Sequence, residues 1–313
     1  MNGPILPQSV QIAFLAIGIL LLIASLTSIQ LVRTRPERDY SELRQRIRTW
    51  WMIVAVFAAA VLFNRTLSVT ILGFVSFLAF KEYLSLIPTR RADHRVLFWA
   101  YLAIPVQFYW VWIGWYGLFI IFIPVYMFLL LPMRMILIGE TQGFLRAIGT
   151  LQWGLMITVF SLSHMAFMLV LPPEKNPAGG AMGLLIYLVF LTEINDVAQY
   201  IWGKSFGKRK VAPKVSPNKT VAGFLGGVAT TTLLAIVLAP WLTPLSRYEA
   251  LGAGMLIGLA GFVGDVTISA LKRDLGVKDS GSMLPGHGGI LDRLDSLTYT
   301  APLFFHYVYF LHY

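Results

Sequence analysis

The segment GHGGILDRLDS, from Gly286 to Ser296, combines residue types that bind phosphate with residue types that bind a metal ion. Its glycines let backbone N–H groups approach an anion closely, and Pro285 before them indicates a loop. Asp292 and Asp295 stand three residues apart with Arg293 between them, so carboxylates for a hard cation and a guanidinium for phosphate arrive together. The loop is not a Walker A motif, because no Gly-Lys-Ser/Thr follows the glycines.

A second group of polar residues forms one stripe at the end of the preceding apolar segment. Asp265, Ser269, Lys272 and Arg273 fall within an arc of about 100° at the helical repeat. A carboxylate bordering hydrocarbon is costly unless a cation meets it, and either Lys272 or a metal ion would serve. Snorkelling explains the two cations at the helix end, but it does not explain Asp265.

Polar residues also interrupt the apolar segment around residue 195, and polar groups in hydrocarbon mark sites or pathways by default. Glu193, Asp196 and Tyr200 repeat at i, i+3 and i+7, which predicts one inward-looking helix face in a segment that also carries Asn195 and Gln199. The alternative is an interhelical hydrogen-bond cluster that only holds a helix bundle together.

The basic segment GKSFGKRKVAPKVSPNKT, residues 203–220, follows directly. It fits a solvated loop. It also fits a phosphate cradle in which Ser216, Asn218, Lys219 and Thr220 meet an anion at the start of the next helix, where free N–H groups and the helix dipole favour negative charge.

Composition indicates the elements that must position these groups. Mean hydropathy is +0.70, only 13% of residues are charged, and apolar runs of about 20 residues recur, each long enough to cross a bilayer as a helix. These runs lack the alternation of barrel strands, so the predicted fold class is all-α, a polytopic integral membrane helix bundle. The chain has no Cys, which excludes disulfides and thiolate metal sites.

The apolar runs predict about ten transmembrane helices. They cover residues 10–32, 50–64, 67–87, 96–113, 115–133, 146–171, 181–202, 220–243, 250–271 and 297–313. Residues 1–180 are expected to form approximately six N-terminal spans. Residues 181–313 are expected to form the catalytic region, because the motifs lie there.

The distribution of Lys and Arg predicts the orientation. With the N-terminus outside, only Arg65, Lys175 and Arg247 of the 25 basic residues lie on the outer side, as the positive-inside rule requires. Segments 203–219 and 272–296 are therefore expected in the cytoplasm. The same rule accounts for the net charge of +10, so nucleic acid is not an expected partner.

Two blocks of the sequence resemble the phosphatidate cytidylyltransferase (CDP-diacylglycerol synthase) family. SALKRDLGVKDSGSMLPGHGGILDRLD, residues 269–295, fills every position of the family signature. NDVAQYIWGKSFGKRKVAPKVSPNKT, residues 195–220, is similar to the preceding conserved region. The chain departs from the common pattern at Gln199, where members commonly have Ala, and at residues 221–223, where Val-Ala-Gly replaces Trp-Glu-Gly.

The resemblance implies a reaction in which CTP and phosphatidate give CDP-diacylglycerol and pyrophosphate, with Mg²⁺ as the cofactor. It leaves open whether a monovalent cation such as K⁺ also takes part. It assigns Asp265 and Asp292 to the metal. A phosphate monoester is mostly dianionic at neutral pH, so the nucleophile needs no strong general base. His287 is therefore expected to hydrogen-bond phosphate or to orient the glycine loop, with a purely structural role as the alternative.

The remaining expected roles are those of a phosphate clamp. Lys272, Arg273, Lys278 and Arg293 are the expected phosphate ligands, and Asp279 and Asp295 are expected to hold these cations in place. The full set of expected site residues is Asp265, Asp292, Lys272, Arg273 and Arg293 for catalysis, and Ser216, Asn218, Lys219, Ser269, Lys278, Asp279, His287, Gly288, Gly289, Asp295 and Asp196 for substrate binding.

Other functions stay open at this point. A CTP-dependent lipid kinase, or a cytidylyltransferase with another lipid acceptor, would fit the departures at Gln199 and Ala222. A transporter is a weaker alternative, because the polar groups cluster at one face in one half of the chain. The expected location is a bacterial cytoplasmic membrane, with the active site facing the cytoplasm. The oligomeric state, including a homo-oligomer, is left open.

Overall fold

The computed structural model describes residues 6–34, 37, 39–88, 94–139, 141–284, 286 and 288–313, and these residues are mostly helical. Among them, nine helices are long and apolar enough to cross a bilayer. They are α1 Gln8–Thr34, α2 Ser41–Leu62, α3 Arg65–Leu86, α4 His94–Ile113, α5 Tyr116–Ile136, α6 Phe144–Met168, α7 Gly180–Phe206, α8 Val221–Leu242 and α9 Arg247–Asp274. The predicted all-α fold is thereby confirmed, and the chain is an integral membrane protein.

The C-terminal end of the chain differs from the predicted tenth span. A single-turn helix, α10, covers Leu291–Leu294, and α11 covers Leu297–His312. The 16 residues of α11 fall short of the roughly 20 that cross a bilayer. Phe304 and Phe305 are fully buried, so α11 packs inside the bundle, against α6 and α9.

The basic segment between α7 and α8 contains an antiparallel β-hairpin. The sequence predicts a solvated loop or a phosphate cradle for this segment, without strands. The strands of the hairpin are β1 (Lys210–Ala212) and β2 (Ser216–Thr220). The hairpin runs directly into α8, where the Thr220 hydroxyl accepts a hydrogen bond from the Gly223 N–H and caps the helix. Residues at the end of β2 are therefore held beside the first turn of α8.

Tyr83 of α3 packs closely against α6. The ring of Tyr83 lies on Gly154, where a Cβ atom would overlap it. The Tyr83 hydroxyl donates to the backbone oxygen of Thr150 at 2.8 Å. This contact fixes the rotation of α3 near its C-terminal end. Glu82 directly precedes Tyr83 and is therefore held in a defined direction as well.

Small residues allow α7, α8 and α9 to approach closely, as is common between helices in lipid. A Cβ atom at Gly227 of α8 would lie inside van der Waals contact with Gln199 of α7. A Cβ at Gly254 of α9 would lie 2.6 Å from the Thr232 Cα of α8. The polar faces of α7 and α9 are thereby brought together at one end of the bundle.

Candidate active site

The inward face of α7 contains Asn195, Asp196 and Gln199, but not Tyr200. Asn195 and Gln199 are buried, whereas Tyr200 is 67% exposed, so the predicted inward position of Tyr200 is wrong. Buried apolar residues such as Leu188 fix the rotation of the helix. Tyr200 points about 120° away from Leu188 at the helical repeat, and this places it outside the packed face.

Asn195 has the interhelical role that was the alternative for this face. Its side-chain oxygen accepts a hydrogen bond from the Thr231 hydroxyl of α8 at 3.2 Å. Its amide nitrogen donates to the Gly258 oxygen of α9 at 3.3 Å. Asn195 therefore links α7, α8 and α9 next to Asp196.

Lys219, at the end of β2, connects the hairpin to both α7 and α9. Its ammonium lies 2.5 Å from Asp265 Oδ2 of α9 and 3.9 Å from Asp196 Oδ1 of α7. It also donates to Gln199 Oε1 at 2.8 Å and lies over the Phe262 ring. The hairpin thus delivers one cation to carboxylates on two membrane helices.

The stripe on α9 divides between two partners. Asp265 accepts from Ser269 Oγ at 3.2 Å and pairs with the hairpin lysine. Lys272 lies 2.6 Å from Asp292 Oδ1 of α10. Arg273 is exposed and donates to a backbone oxygen of the hairpin at 3.3 Å. Lys272, the side chain that the sequence offered as a partner for Asp265, therefore pairs with Asp292 instead.

Asp292 holds together the segment between α9 and α10. Residues 278–284, 286 and 288–290 of this segment are called the signature loop below. Asp292 Oδ2 accepts from the backbone N–H groups of Ser280 at 2.8 Å and Gly289 at 2.9 Å. Burial by itself would raise the pKa of Asp292, but the hydrogen bonds and charge of Lys272 and the two N–H groups hold it below its ordinary value.

The backbone shape of the signature loop favours glycine at positions 286 and 288. Gly288 has a φ of +82°, and a Cβ there would lie 2.6 Å from Asp292 Oδ2 and 3.5 Å from the Asp279 Cβ. Lys278 and Asp279 are exposed, and their predicted roles toward phosphate stay predictions. His287 lies outside the described residues.

The hairpin residues predicted to cradle phosphate are placed differently from one another. Ser216 is half-buried and Asn218 is exposed. Thr220 uses its hydroxyl as the cap of α8. The helix start therefore already has one internal partner, and the predicted phosphate cradle stays a prediction.

Asp295 completes an acidic cluster with Asp196 and Asp265. Its Oδ1 accepts from the Ser296 N–H at 2.7 Å, and the Ser296 hydroxyl donates to Asp196 Oδ2 at 2.9 Å. Burial raises the pKa of Asp295 well above its ordinary value, and the charges of Asp265 and Asp196 raise it further. The carboxylates that the structure groups around Asp265 are thus Asp196 and Asp295, while Asp292 belongs to the signature loop.

Arg293 lies next to this acidic cluster. Its Nε is buried and has no hydrogen-bond partner among the residues that the structure describes. It is within electrostatic range of Glu193 and Asp196 on α7. The guanidinium therefore retains donor capacity for an additional anion.

Glu82 on α3 is a site residue that the sequence analysis missed. The Glu82 side chain is buried, with only 6% of its surface exposed. Its carboxylate reaches the signature loop and accepts hydrogen bonds from Ser280, Ile290 and Leu291. A carboxylate near the end of an apolar span was the available signal. That signal was applied only to the C-terminal half, where the motifs lie.

The donor types at this site fit a hard divalent cation. Carboxylate and hydroxyl oxygens are the ligands that Mg²⁺ prefers, and Asp196 Oδ1 is buried without a hydrogen-bond donor among the described residues. Within the described ranges, no group of three or more Asp, Glu or His side chains is arranged to hold a metal ion. Asp265 and Asp292 each pair with a lysine, and their joint metal ligation stays a prediction.

Comparison with known proteins identifies relatives along nearly the whole chain. Uncharacterized protein YnbB of Escherichia coli (strain K12) is 47% identical over 289 residues, which are 92% of this chain and 95% of that protein. Two proteins named phosphatidate cytidylyltransferase match a shorter part. The one from Synechocystis is 43% identical over 141 residues, and the one from Haemophilus influenzae is 42% identical over 136 residues.

These shorter matches cover 44% and 41% of this chain and span less than half of each relative, 47% and 46%. A family model described as the cytidylyltransferase family matches residues 44–311. The match includes both sequence blocks and also Glu82. The predicted enzyme class, a nucleotidyltransferase, is therefore confirmed, and the chain belongs to the cytidylyltransferase family.

Proposed function

We propose that this protein is a phosphatidate cytidylyltransferase, which converts CTP and phosphatidate to CDP-diacylglycerol and pyrophosphate. The observation that carries the proposal is the contact between Lys219 and Asp265. It joins the hairpin block to α9, and Lys272 and Asp292 join α9 to the signature loop. Cations from separate segments thereby surround one polar region at the end of an apolar bundle, as a reaction between two anionic substrates requires.

The proposed step is an attack of one phosphate ester on another. An oxygen of the phosphatidate phosphate forms a bond to the α-phosphorus of CTP, and the bond from that phosphorus to the oxygen bridging to the β-phosphorus breaks. The bonding electron pair leaves with pyrophosphate. The attacking phosphate is mostly dianionic at neutral pH, so no side chain has to remove a proton.

The protein's contribution is to hold cations where the phosphates must lie. Lys219 and Lys272 are each fixed by a carboxylate, so little side-chain freedom is lost when they meet phosphate. Arg293 has an unpartnered buried Nε, and Arg273 borders the same region from the exposed end of α9. These four cations are the proposed clamp.

Asp265 and Asp292 are the proposed Mg²⁺ ligands, with Asp196 and Asp295 beside Asp265. When bound, Mg²⁺ would neutralise phosphate charge and align the triphosphate. Lys219 and Lys272 pair with these carboxylates, and they would be available to phosphate oxygens if the carboxylates held Mg²⁺.

A different lipid acceptor is the second candidate, and one contact favours it. Gln199, where the family commonly has Ala, accepts a hydrogen bond from Lys219 at 2.8 Å. A departure from the family pattern therefore touches a proposed phosphate ligand. A lipid other than phosphatidate that carries a phosphate monoester would react by the same chemistry.

The active site is proposed to face the cytoplasm of a bacterial cell, where CTP is made. The hairpin and the signature loop both carry basic residues and lie at the same end of the bundle, joined through α9. This arrangement agrees with the positive-inside rule.

The protein purified in detergent should form CDP-diacylglycerol from labelled CTP, phosphatidate and Mg²⁺, with one pyrophosphate released per product. A lipid kinase would instead release CDP and transfer only the γ-phosphate. Absence of any cytidylyl lipid, under conditions in which an established phosphatidate cytidylyltransferase is active, would overturn the proposed function.

Lys219→Met should lower kcat/KM by one to two orders of magnitude, about 1.4 to 2.7 kcal/mol of transition-state stabilisation. Methionine keeps an unbranched apolar side chain and removes the ammonium, which pairs with Asp265 and lies over the Phe262 ring. The matched control is Lys214→Met, an exposed lysine in the turn of the same hairpin. If kcat/KM were the same in both variants, Lys219 would have no role in catalysis and the basic segment would be only a solvated loop.

Asp265→Asn and Asp292→Asn should each nearly abolish activity, and the double variant should be hardly worse than either, because residues of one metal site cannot be lost twice. Both variants should also lose the rise in melting temperature that Mg²⁺ gives the wild type by binding the folded state. Asp274→Asn, at the exposed end of α9, is the control. Retained Mg²⁺ stabilisation would move the metal to Asp196 and Asp295.

The orientation can be tested directly because the chain has no Cys. An impermeant maleimide added to intact cells should leave Lys210→Cys and Ser282→Cys unlabelled, since both positions are expected in the cytoplasm. Tyr248→Cys, at the start of α9 on the opposite side and 89% exposed, should be labelled. The reverse pattern would show that the proposed orientation is inverted.

A further inference from the structure

We propose that Glu82 is a positioning residue, whose carboxylate holds the signature loop in the geometry that binds the phosphates of the nucleotide. The inference rests on the proposed function only in taking the nucleotide to be CTP. Glu82 belongs to α3, in the half of the chain that carries no recognised motif. It reaches residues 198 to 209 positions away in the sequence.

One carboxylate closes the loop at both of its ends. Glu82 Oε1 accepts from the Ser280 hydroxyl at 2.5 Å and from the Leu291 N–H at 2.9 Å. Glu82 Oε2 accepts from the Ile290 N–H at 2.9 Å. Both oxygens are therefore engaged, and the donors lie on either side of the glycines.

Two glycines of the loop pack directly on this carboxylate. A Cβ atom at Gly281 would lie 2.8 Å from Glu82 Oε2, and one at Gly289 would overlap Oε1. Close approach to Glu82 is thus a reason for glycine at both positions, separate from any contact with phosphate.

Glu82 acts on the clamp through shared partners. Ser280 donates its hydroxyl to Glu82 and its N–H to Asp292, and Asp292 binds Lys272 at 2.6 Å. Gly289, which packs against Glu82, donates its N–H to the same Asp292 oxygen as Ser280. A shift of the Glu82 carboxylate would therefore displace Asp292 and the ammonium of Lys272.

The chemistry favours a carboxylate over an amide at this position. The three donors need acceptors only, and a carboxylate has no donor of its own. A glutamine would direct its NH₂ group at either the Ile290 N–H or the Leu291 N–H. Among the described residues no ion pair involves Glu82, so its charge is stabilised by hydrogen bonds within the loop.

Hydrogen exchange followed by mass spectrometry on the full chain in detergent tests the proposal without requiring turnover. In Glu82→Gln, whichever of the Ile290 and Leu291 amides faces the new NH₂ group should exchange about tenfold faster than in wild type, which corresponds to about 1.4 kcal/mol. Glu249→Gln is the matched control. Its carboxylate accepts from the Ser246 N–H at the cap of α9 and does not touch the loop.

Ser280→Ala guards against a misfolded Glu82 variant, because it removes one of the three hydrogen bonds and keeps both backbone donors. It should raise exchange less than Glu82→Gln does. Relative to wild type, the double variant should raise exchange by less than the product of the two single-variant factors. Unchanged exchange in both single variants would overturn the proposal.

Added CTP with Mg²⁺ separates a positioning role from a structural one. In wild type, CTP should slow exchange in the loop, and Glu82→Gln should raise the CTP concentration for half-protection about tenfold. The positioning role would be overturned if Glu82→Gln exchanged faster but was protected by the same CTP concentration as wild type. It would also be overturned if CTP did not slow exchange in wild type. Protection by CTP without formation of CDP-diacylglycerol would instead remove phosphatidate as the acceptor and leave the role of Glu82 intact.

Discussion

The free energy of placing carboxylates at the end of an apolar bundle is the constraint on which the site depends. Glu82, Asp196, Asp265, Asp292 and Asp295 are all buried or half-buried there. Each charge needs a cation or several N–H and O–H donors, because an isolated buried carboxylate is strongly unfavourable. The hairpin, the signature loop and α10 supply those partners. The non-helical segments are thus folded by the need to compensate charges carried on the helices.

The negative charges of the carboxylates are compensated in two different ways. The difference distinguishes carboxylates that shape the loop from carboxylates that are suited to binding a cation. Glu82 and Asp292 bind backbone N–H groups of the loop, which gives the loop its shape. Asp196 and Asp295 have fewer donors, and the pKa of Asp295 is raised by burial and by its acidic neighbours. The first pair is suited to holding the backbone. The second pair leaves negative charge unmatched beside Asp265, where an added cation would lower the free energy.

The sequence predicted the helical fold and the family, because long apolar runs and a dense polar motif are local signals. It did not predict which groups meet. Lys272 lies near Asp265 on one helix face, yet it pairs with Asp292, while Lys219 comes from the hairpin to Asp265. Tyr200 was misplaced because a spacing of i, i+3 and i+7 defines a face but not its direction. Glu82 was missed because its partners are about 200 positions away.

The balance of charge explains why the proposed reaction would depend on a divalent cation rather than on lysine and arginine alone. Lys219, Lys272 and Arg293 do not outnumber the carboxylates around them, so the inner site has no excess positive charge to draw in a bare triphosphate. Within the pairs, each ammonium already has an anion at hydrogen-bond distance. Mg²⁺ bound with the nucleotide would supply positive charge to the carboxylates, and Lys219 and Lys272 would then be available to phosphate oxygens. The carboxylates would then keep the lysines in place before the nucleotide arrives and bind its metal ion afterwards.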